Sequence, residues 1–254
     1  MACPRKHRLL TGCHNPGMNT FTERSRIKIC GLTREEDVDA AAAAGVDAVG
    51  FVMYEPSPRY VSAMRAAELA RRLPPFITPV LLFVNASAQD IHAACTQIPG
   101  ATVQFHGDET PLDCAQIQRP FLRAARIPLG DFSQTAAAAS NRFDLVKYAH
   151  DFKAAQAILL DAHVDGYGGG GKTFNWSLLP PNVNAHLVLS GGLTPANVTD
   201  GILQVRPRCL SLAVDVSSGV EVSKGIKSAG LINQFVTAVR AADTQLAKRF
   251  QTHV

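Results

Sequence analysis

The chain of 254 residues contains no two cysteines spaced as CxxC. Such pairs supply disulfide frameworks, zinc sites and thiol redox centres, so the sequence gives no support to any of these. This usage of cysteine predicts free thiols and a reducing compartment, the cytoplasm. The six cysteines are scattered along the chain, at Cys3, Cys13, Cys30, Cys95, Cys114 and Cys209.

Long apolar runs and blocks of like charge are also missing. No stretch of about 18 apolar residues occurs, so we expect no membrane-spanning helix. Charged residues make up 18% of the chain, and the net charge is only +4. This mild positive balance does not indicate a nucleic-acid partner, but it suits a phosphorylated or carboxylated substrate.

Residues 1–25 differ from the remainder in being rich in Arg, Lys, His, Pro and Gly. They contain no apolar run long enough for a signal peptide. We interpret 1–25 as a disordered or artefactual extension, with Met18 as an alternative start; the other interpretation is a basic targeting tail. No composition shift marks a linker in 26–254, so this part is predicted to be one catalytic domain.

Runs of strand length alternate with helical patterns along this domain. In the first unit, Thr33 and Glu36 have the T-x-x-E spacing of a capping box, which predicts a helix beginning at Thr33. Later helices are predicted to begin at Ser62, Ser87, Thr110 and Thr194. This alternation over about 230 residues predicts a single α/β domain, a closed (β/α)₈ TIM barrel. An open doubly wound sheet is the rival, but no GxGxxG follows the first strand. The predicted strands cover 27–31, 47–52, 79–84, 101–107, 121–127, 157–162, 186–192 and 209–215.

Polar residues interrupt these runs near their C-terminal ends. In a (β/α)₈ barrel the C-terminal ends of the strands meet at one mouth, where the active site lies, so we expect the polar residues to converge there. They are Cys30, Gln104, His106, Arg123, Arg126, Asp161, Ser190 and Asp215.

Two of these residues are candidates for acid–base chemistry. Asp161 ends the apolar run AILLD, where desolvation would raise its pKa toward use as a general acid. A helix cap or an ion-pair partner is an equally good interpretation of Asp161. Cys30 is either a small buried hydrophobe or a thiolate favoured by the following helix N-terminus.

Two glycine-bearing segments have the form of anion sites. SGGLTPANV places Gly191 and Gly192 before a predicted helix, and VDVSSGVE places Ser218 and Gly219 after the eighth strand. A phosphate held between the loops after strands seven and eight is frequent in this fold. Ordinary tight turns are the alternative.

The segment GYGGGGKT at 166–173 matches the Walker A pattern of nucleotide-binding P-loops. A P-loop requires a helix that opens at its Lys-Thr, whereas TFNWSLLPPN follows here, with two prolines. A glycine loop that closes over a substrate is the interpretation we favour.

The order of the segments KICGLT, SPR, VQFHG, ILLDA, GGGGKTFNW, LSGGL and VDVSSGVE, from about residue 26 onward, resembles that of phosphoribosylanthranilate isomerases. A cysteine at the end of the first strand separates this family from the similar histidine-pathway isomerases, which carry an aspartate there. Two departures are GGGG in place of the usual GGTG or GGSG, and Phe105 where leucine is commoner.

The resemblance implies the Amadori rearrangement of N-(5'-phosphoribosyl)anthranilate in tryptophan biosynthesis, with no cofactor or metal. It implies that Asp161 is the general acid and Cys30 the general base. Arg59 would bind the anthranilate carboxylate, Asp215 would orient the sugar, and the phosphate would be held by Gly191, Gly192, Ser218 and Gly219.

Three other functions stay open at this point. A non-catalytic phosphosugar-binding barrel would keep the anion loops without needing Cys30 and Asp161 together. A P-loop hydrolase would need ATP binding through Lys172. A histidine-pathway or dual-substrate isomerase would also act on a phosphoribosyl amine. The expected partner is a small phosphoribosyl substrate, with no nucleic acid and no membrane, and the chain is expected to be a monomer or a homodimer.

Overall fold

The structure, a computed structural model, describes residues 24–128, 143–162 and 173–251. Eight parallel strands pair in sequence order, and β8 closes onto β1, which confirms the predicted (β/α)₈ barrel. The strands are β1 (Arg26–Cys30), β2 (Ala48–Val52), β3 (Thr78–Phe83), β4 (Thr102–Phe105), β5 (Phe121–Ile127), β6 (Ala157–Ala162), β7 (Leu187–Leu189) and β8 (Leu212–Val216).

Helices cover the outside of this barrel. They are α1 (Glu35–Ala43), α2 (Ala63–Ala70), α3 (Ala88–Gln97), α4 (Pro111–Gln116), α5 (Leu145–Asp151), α6 (Val198–Val205) and α7 (Ala229–Gln251). None of the helices within the described ranges is both long enough and apolar enough to cross a membrane.

The alternation of side chains along each strand separates two cores. Outward residues such as Ile27, Ile29 and Phe51 pack with the helices in one large cluster. Inward residues Ala124 and Leu159 belong to a much smaller cluster inside the barrel. Because successive strand residues point to opposite sides, Lys28 and Cys30 share the inner face of β1.

The helix starts predicted at Ser62, Ser87 and Thr110 are confirmed. Ser62 and Ser87 each accept a hydrogen bond from the backbone N–H three residues on. Thr110 and Asp113 form a complete capping box, and Pro111 occupies the first turn of α4.

The start predicted for α1 is wrong. The helix begins at Glu35, and Arg34 is its N-cap residue, without a side-chain cap. The hydroxyl of Thr33 instead donates to the carbonyl of Gly225, 2.8 Å away in the loop after β8. The Thr33 hydroxyl, which the local pattern assigned to capping α1, is therefore used in a tertiary hydrogen bond to Gly225.

The seventh unit also differs from its prediction. Strand β7 ends at Leu189 rather than at 192, because Gly191 and Gly192 adopt φ values of +78° and +63° that turn the chain. Helix α6 then begins at Val198, later than Thr194.

A short antiparallel hairpin follows β8, and the sequence did not predict it. Its strands are β9 (Glu221–Ser223) and β10 (Ile226–Lys227). The hairpin brings Glu221 and Lys227 to the C-terminal mouth of the barrel, where Glu221 bonds to both Arg59 and Lys227.

The described part of the barrel begins before the predicted domain boundary at residue 26. The Arg24 guanidinium pairs with Asp47, and Ser25 is fully buried and bonds to Asp243. Most of the glycine-rich segment 166–173 lies outside the described residues, so both interpretations of it stay predictions.

Candidate active site

The structure carries all eight sequence-predicted site residues at the same end of the barrel. Each lies at the C-terminal end of a strand or in the loop that follows it. They are Cys30 on β1, Arg59 after β2, Asp161 on β6, Gly191 and Gly192 after β7, Asp215 on β8, and Ser218 and Gly219 after β8.

Arg123, which was expected at this mouth, lies on the outer face of β5. Its guanidinium bonds to Glu109 and to the carbonyl of Gly107, and it stacks over the ring of Phe152. It holds the loop after β4 instead of facing the mouth, because alternation along β5 places it on the same, outward face as Phe121 and Ala125.

Cys30 lies against the ammonium group of Lys28. A Cβ atom built on Gly50 would be 2.7 Å from the Cys30 sulfur and 3.0 Å from Lys28 Nζ, so both groups occupy the space that a side chain would fill. Burial raises the pKa of the thiol, Asp215 acts in the same direction, and Lys28 and Lys227 oppose them. Desolvation outweighs the nearby positive charges, so the pKa of Cys30 lies above its ordinary value, and the use of this residue as a thiolate base stays a prediction.

Lys28 and Asp215 form a buried ion pair across β1 and β8. Lys28 Nζ lies 3.0 Å from Asp215 Oδ1, and the two residues are directly opposite in the strand register. Although burial acts to lower it, the pKa of Lys28 is raised by the charges of Asp215 and Cys30. The sequence did carry a signal for Lys28, since it shares the strand face of Cys30 and interrupts an apolar pattern.

Asp161 is held by two linked side chains, Gln104 on β4 and His106 just after it. His106 Nε2 lies 3.0 Å from Asp161 Oδ2, and His106 Nδ1 lies 3.1 Å from Nε2 of Gln104. Asp161 is neither a helix cap nor a partner of Arg or Lys in the described residues. Its other oxygen, Oδ1, would be 2.8 Å from a Cβ atom built on Gly191.

The two predicted anion loops pack against each other. A Cβ atom built on Gly219 would overlap the carbonyl oxygen of Leu193 and approach Thr194 Cα to 3.2 Å. The side chain of Asn197 accepts from the Thr194 N–H and donates to the Gly192 carbonyl. These two hydrogen bonds hold residues 192–197 in a turn, so α6 begins at Val198 and not at the predicted Thr194.

Arg59 already has a carboxylate partner. Its Nε and Nη2 atoms donate to the two oxygens of Glu221 at 2.7 and 2.8 Å. Glu221 also accepts from Lys227 Nζ at 2.7 Å. The resemblance assigned Arg59 to the anthranilate carboxylate, but within the described residues its Nε and Nη2 atoms are bound by Glu221. Sequence reasoning missed both Glu221 and Lys227, because their hairpin has no apolar run.

The chain is a closed (β/α)₈ barrel, and its C-terminal mouth holds a carboxyl group, a thiol and two packed glycine loops. This fold and this site place it in the class of TIM-barrel enzymes. A family model described as N-(5'phosphoribosyl)anthranilate (PRA) isomerase matches residues 27–238. The chain belongs to this isomerase family, which confirms the resemblance drawn from its motifs.

Similar relatives and solved structures carry the name of this isomerase. The N-(5'-phosphoribosyl)anthranilate isomerase of Methylibium petroleiphilum is 60% identical over 224 residues, covering 88% of this chain and 98% of the relative. A phosphoribosyl anthranilate isomerase solved in complex with reduced 1-(o-carboxyphenylamino)-1-deoxyribulose 5-phosphate is 34% identical. Its TM-score is 0.67, with 85% of this chain and 99% of that chain covered.

A third structure bears on assembly. Monomers generated from the dimeric phosphoribosylanthranilate isomerase of Thermotoga maritima share 33% identity with this chain at a TM-score of 0.66. The match covers 85% of this chain and 98% of that chain. Dimeric forms therefore exist among the relatives, and the predicted choice between monomer and homodimer stays a prediction for this protein.

Proposed function

We propose that this enzyme converts N-(5'-phosphoribosyl)anthranilate to 1-(2-carboxyphenylamino)-1-deoxyribulose 5-phosphate, with Asp161 as general acid and Cys30 as general base. The observation that supports this most directly is the approach of Gly191 to Asp161 Oδ1. It sets the candidate phosphate loop beside the candidate acid, as a substrate carrying both a phosphate and a reacting sugar requires.

The acid step opens the ring. Asp161 gives its proton to the furanose oxygen, the C1'–O bond breaks, and the anthranilate nitrogen supplies the electron pair that forms the Schiff base at C1'. His106 occupies Oδ2, so Oδ1 is the oxygen assigned to carry this proton.

The base step moves the C2' proton. The Cys30 thiolate removes it, the electrons of the C2'–H bond form the C1'=C2' double bond, and the π electrons of the Schiff base return to the nitrogen to give an enolamine. The enolamine then tautomerises: C1' gains a proton and the C2' hydroxyl becomes the ketone. A raised pKa makes the thiolate scarcer at neutral pH but a stronger base once it is formed.

The remaining predicted residues bind the substrate. Backbone N–H groups of Gly191, Gly192, Ser218 and Gly219 are proposed to hold the phosphate, which suits loops with little side-chain bulk. Arg59 is proposed to reach the anthranilate carboxylate through Nη1 while Glu221 holds its other edge. Asp215 pairs with Lys28, so we propose that only its second oxygen is available to the sugar. We also propose the cytoplasm as its compartment, which suits the free thiols of Cys30, Cys95, Cys114 and Cys209.

The test is turnover of freshly made phosphoribosylanthranilate, followed by the loss of its fluorescence. Cys30→Ser and Asp161→Asn are each expected to lower kcat by at least about 100-fold, the scale for losing a general acid or base. Cys209→Ser, which changes a free cysteine outside the mouth, is the matched control and should turn over normally. Near-normal kcat in either site variant would overturn the role of that residue. No turnover by the intact protein would favour the phosphosugar-binding barrel, and ATP binding would favour the P-loop hydrolase.

A further inference from the structure

Lys28 has an unusual position for a lysine. It projects into the interior of the barrel from the middle of β1, with only 4% of the residue exposed. Lysine is almost never this buried unless it is paired, because taking an ammonium group out of water is costly. The proposed reaction gives Lys28 no role, although its ammonium lies beside the proposed base.

The surroundings fix the ammonium group in one place. Asp215 Oδ1 accepts from it at 3.0 Å, and the absence of a side chain at Gly50 opens the space that Lys28 Nζ and the Cys30 sulfur share. The ammonium can therefore donate toward Asp215 and the sulfur at the same time, since it carries three N–H donors.

The charges around Cys30 are unbalanced while it is a thiol. Three cationic side chains act in this region, Lys28, Lys227 and Arg59. Two carboxylates face them, Asp215 on Lys28 and Glu221 shared by Arg59 and Lys227. A thiolate at Cys30 would be the third negative charge and would bring this buried cluster to neutrality.

We infer that Lys28 is a positioning residue for Cys30: its ammonium, held by Asp215, supplies the positive charge beside which the sulfur ionises. The inference deepens the proposed function, because it takes Cys30 to be the base. When the thiolate takes the C2' proton it becomes a neutral thiol, and Lys28 keeps its pair with Asp215. The ammonium thus acts through electrostatics and gives up no proton.

The experiment measures ionisation of Cys30 directly, without turnover. Intact protein is treated with iodoacetamide across a range of pH, and modification of the Cys30 peptide is quantified by mass spectrometry. Only the thiolate reacts, so the midpoint of the rate profile reports its formation.

Lys28→Met removes the charge of Lys28 and keeps most of the length of its side chain. We expect its midpoint to move up by at least about one pH unit, a tenfold slower reaction on the acid side. Lys153→Met, which changes an exposed lysine outside the mouth, should leave the midpoint in place.

The double variant Lys28→Met/Asp215→Asn guards against misfolding, because it leaves no unpaired carboxylate. The midpoint of the double variant is expected between those of the intact protein and Lys28→Met. The double variant removes both Lys28, which favours the thiolate, and Asp215, which disfavours it. A purely structural role for Lys28 would lower thermal stability without moving the midpoint, and an unmoved midpoint in either variant overturns the inference.

Turnover separates this failure from failure of the proposed function. Lys28→Met should lower kcat at least about tenfold with KM nearly unchanged, because it acts on the base and not on substrate binding. If Cys30→Ser kept normal turnover, the proposed function would fail while the midpoint shift could still be observed.

Discussion

His106 Nε2 lies 3.0 Å from Asp161 Oδ2, and this contact gives the two carboxyl oxygens of Asp161 different surroundings. The Gln104 amide nitrogen faces the other ring nitrogen of His106, so it donates to Nδ1 and leaves the ring proton on Nε2. His106 then donates to Oδ2, which leaves Oδ1, beside Gly191, for the acid proton. A histidine whose second nitrogen is fixed by a neighbour commonly orients a reactive group in this way.

His106→Asn should therefore lower kcat by about 10- to 100-fold and change KM little, because Asp161 loses its orientation but the binding loops stay intact. Steady-state kinetics with phosphoribosylanthranilate measure both constants. His92→Asn is the matched control, since His92 is exposed on α3 and should behave as the intact enzyme. A rise in KM with unchanged kcat would contradict the orienting role.

Much of this arrangement could be predicted from the sequence, for a physical reason. Alternation along a strand decides which face a residue occupies, and chain order decides which strands are neighbours in a barrel. Cys30 and Asp161 could therefore be placed at one mouth from the pattern alone. Local cap chemistry likewise gave the correct starts of α2, α3 and α4.

Contacts between distant segments could not be predicted in the same way. The pairing of Lys28 with Asp215 depends on the register of β1 against β8, which no local pattern encodes. Thr33 lost its capping role to a carbonyl in the loop after β8, at Gly225. The 221–227 hairpin is short and polar, so it had the composition of an ordinary loop, yet it supplies Glu221 to Arg59.

Gly50→Ala tests the crowding beside the proposed base. The new methyl group would lie within 3.0 Å of both the Cys30 sulfur and Lys28 Nζ, and these buried groups have little room to retreat. We expect kcat to fall at least about tenfold, because a catalytic group displaced by less than about 1 Å already lowers the rate of the chemical step. Gly100→Ala has open space around its Cβ and should keep full activity. Unchanged turnover in Gly50→Ala would mean that the sulfur and the ammonium can move apart without cost.

Gly219→Ala tests the packing of the two proposed phosphate loops. Its Cβ would overlap the Leu193 carbonyl oxygen, so one of the loops must shift. We expect KM to rise at least about tenfold with a smaller change in kcat, since the phosphate is remote from the bonds that change. Gly230→Ala meets only Ser228 Oγ at 3.6 Å and serves as the control. Inorganic phosphate should also protect Gly219→Ala against thermal unfolding less than it protects the intact protein. Equal protection would place the phosphate elsewhere.

Glu221→Gln should destabilise the protein in a way that depends on pH. Glu221 is the shared carboxylate of Arg59 and Lys227, so its loss leaves two largely buried cations without their partner. Removing one member of such a buried pair costs about 3 kcal/mol. Burial acts to raise the pKa of Glu221, but the hydrogen bonds from Arg59 and Lys227 outweigh it, and the pKa lies below its ordinary value.

The sign of the pH effect follows from this lowered pKa. A carboxyl group whose pKa is lower in the folded state contributes its stability above the unfolded pKa, about 4.3 for glutamate, and loses it as the pH falls through the folded value. The difference in unfolding free energy between intact protein and Glu221→Gln should thus be full at pH 7 and shrink on acidification below about pH 4.3. Urea unfolding at several pH values measures it. Glu68→Gln, which changes a glutamate that contacts Arg65 at the exposed surface, should show little difference at any pH. A difference for Glu221→Gln that stayed constant down to acid pH would mean that its carboxylate is not held by the two cations.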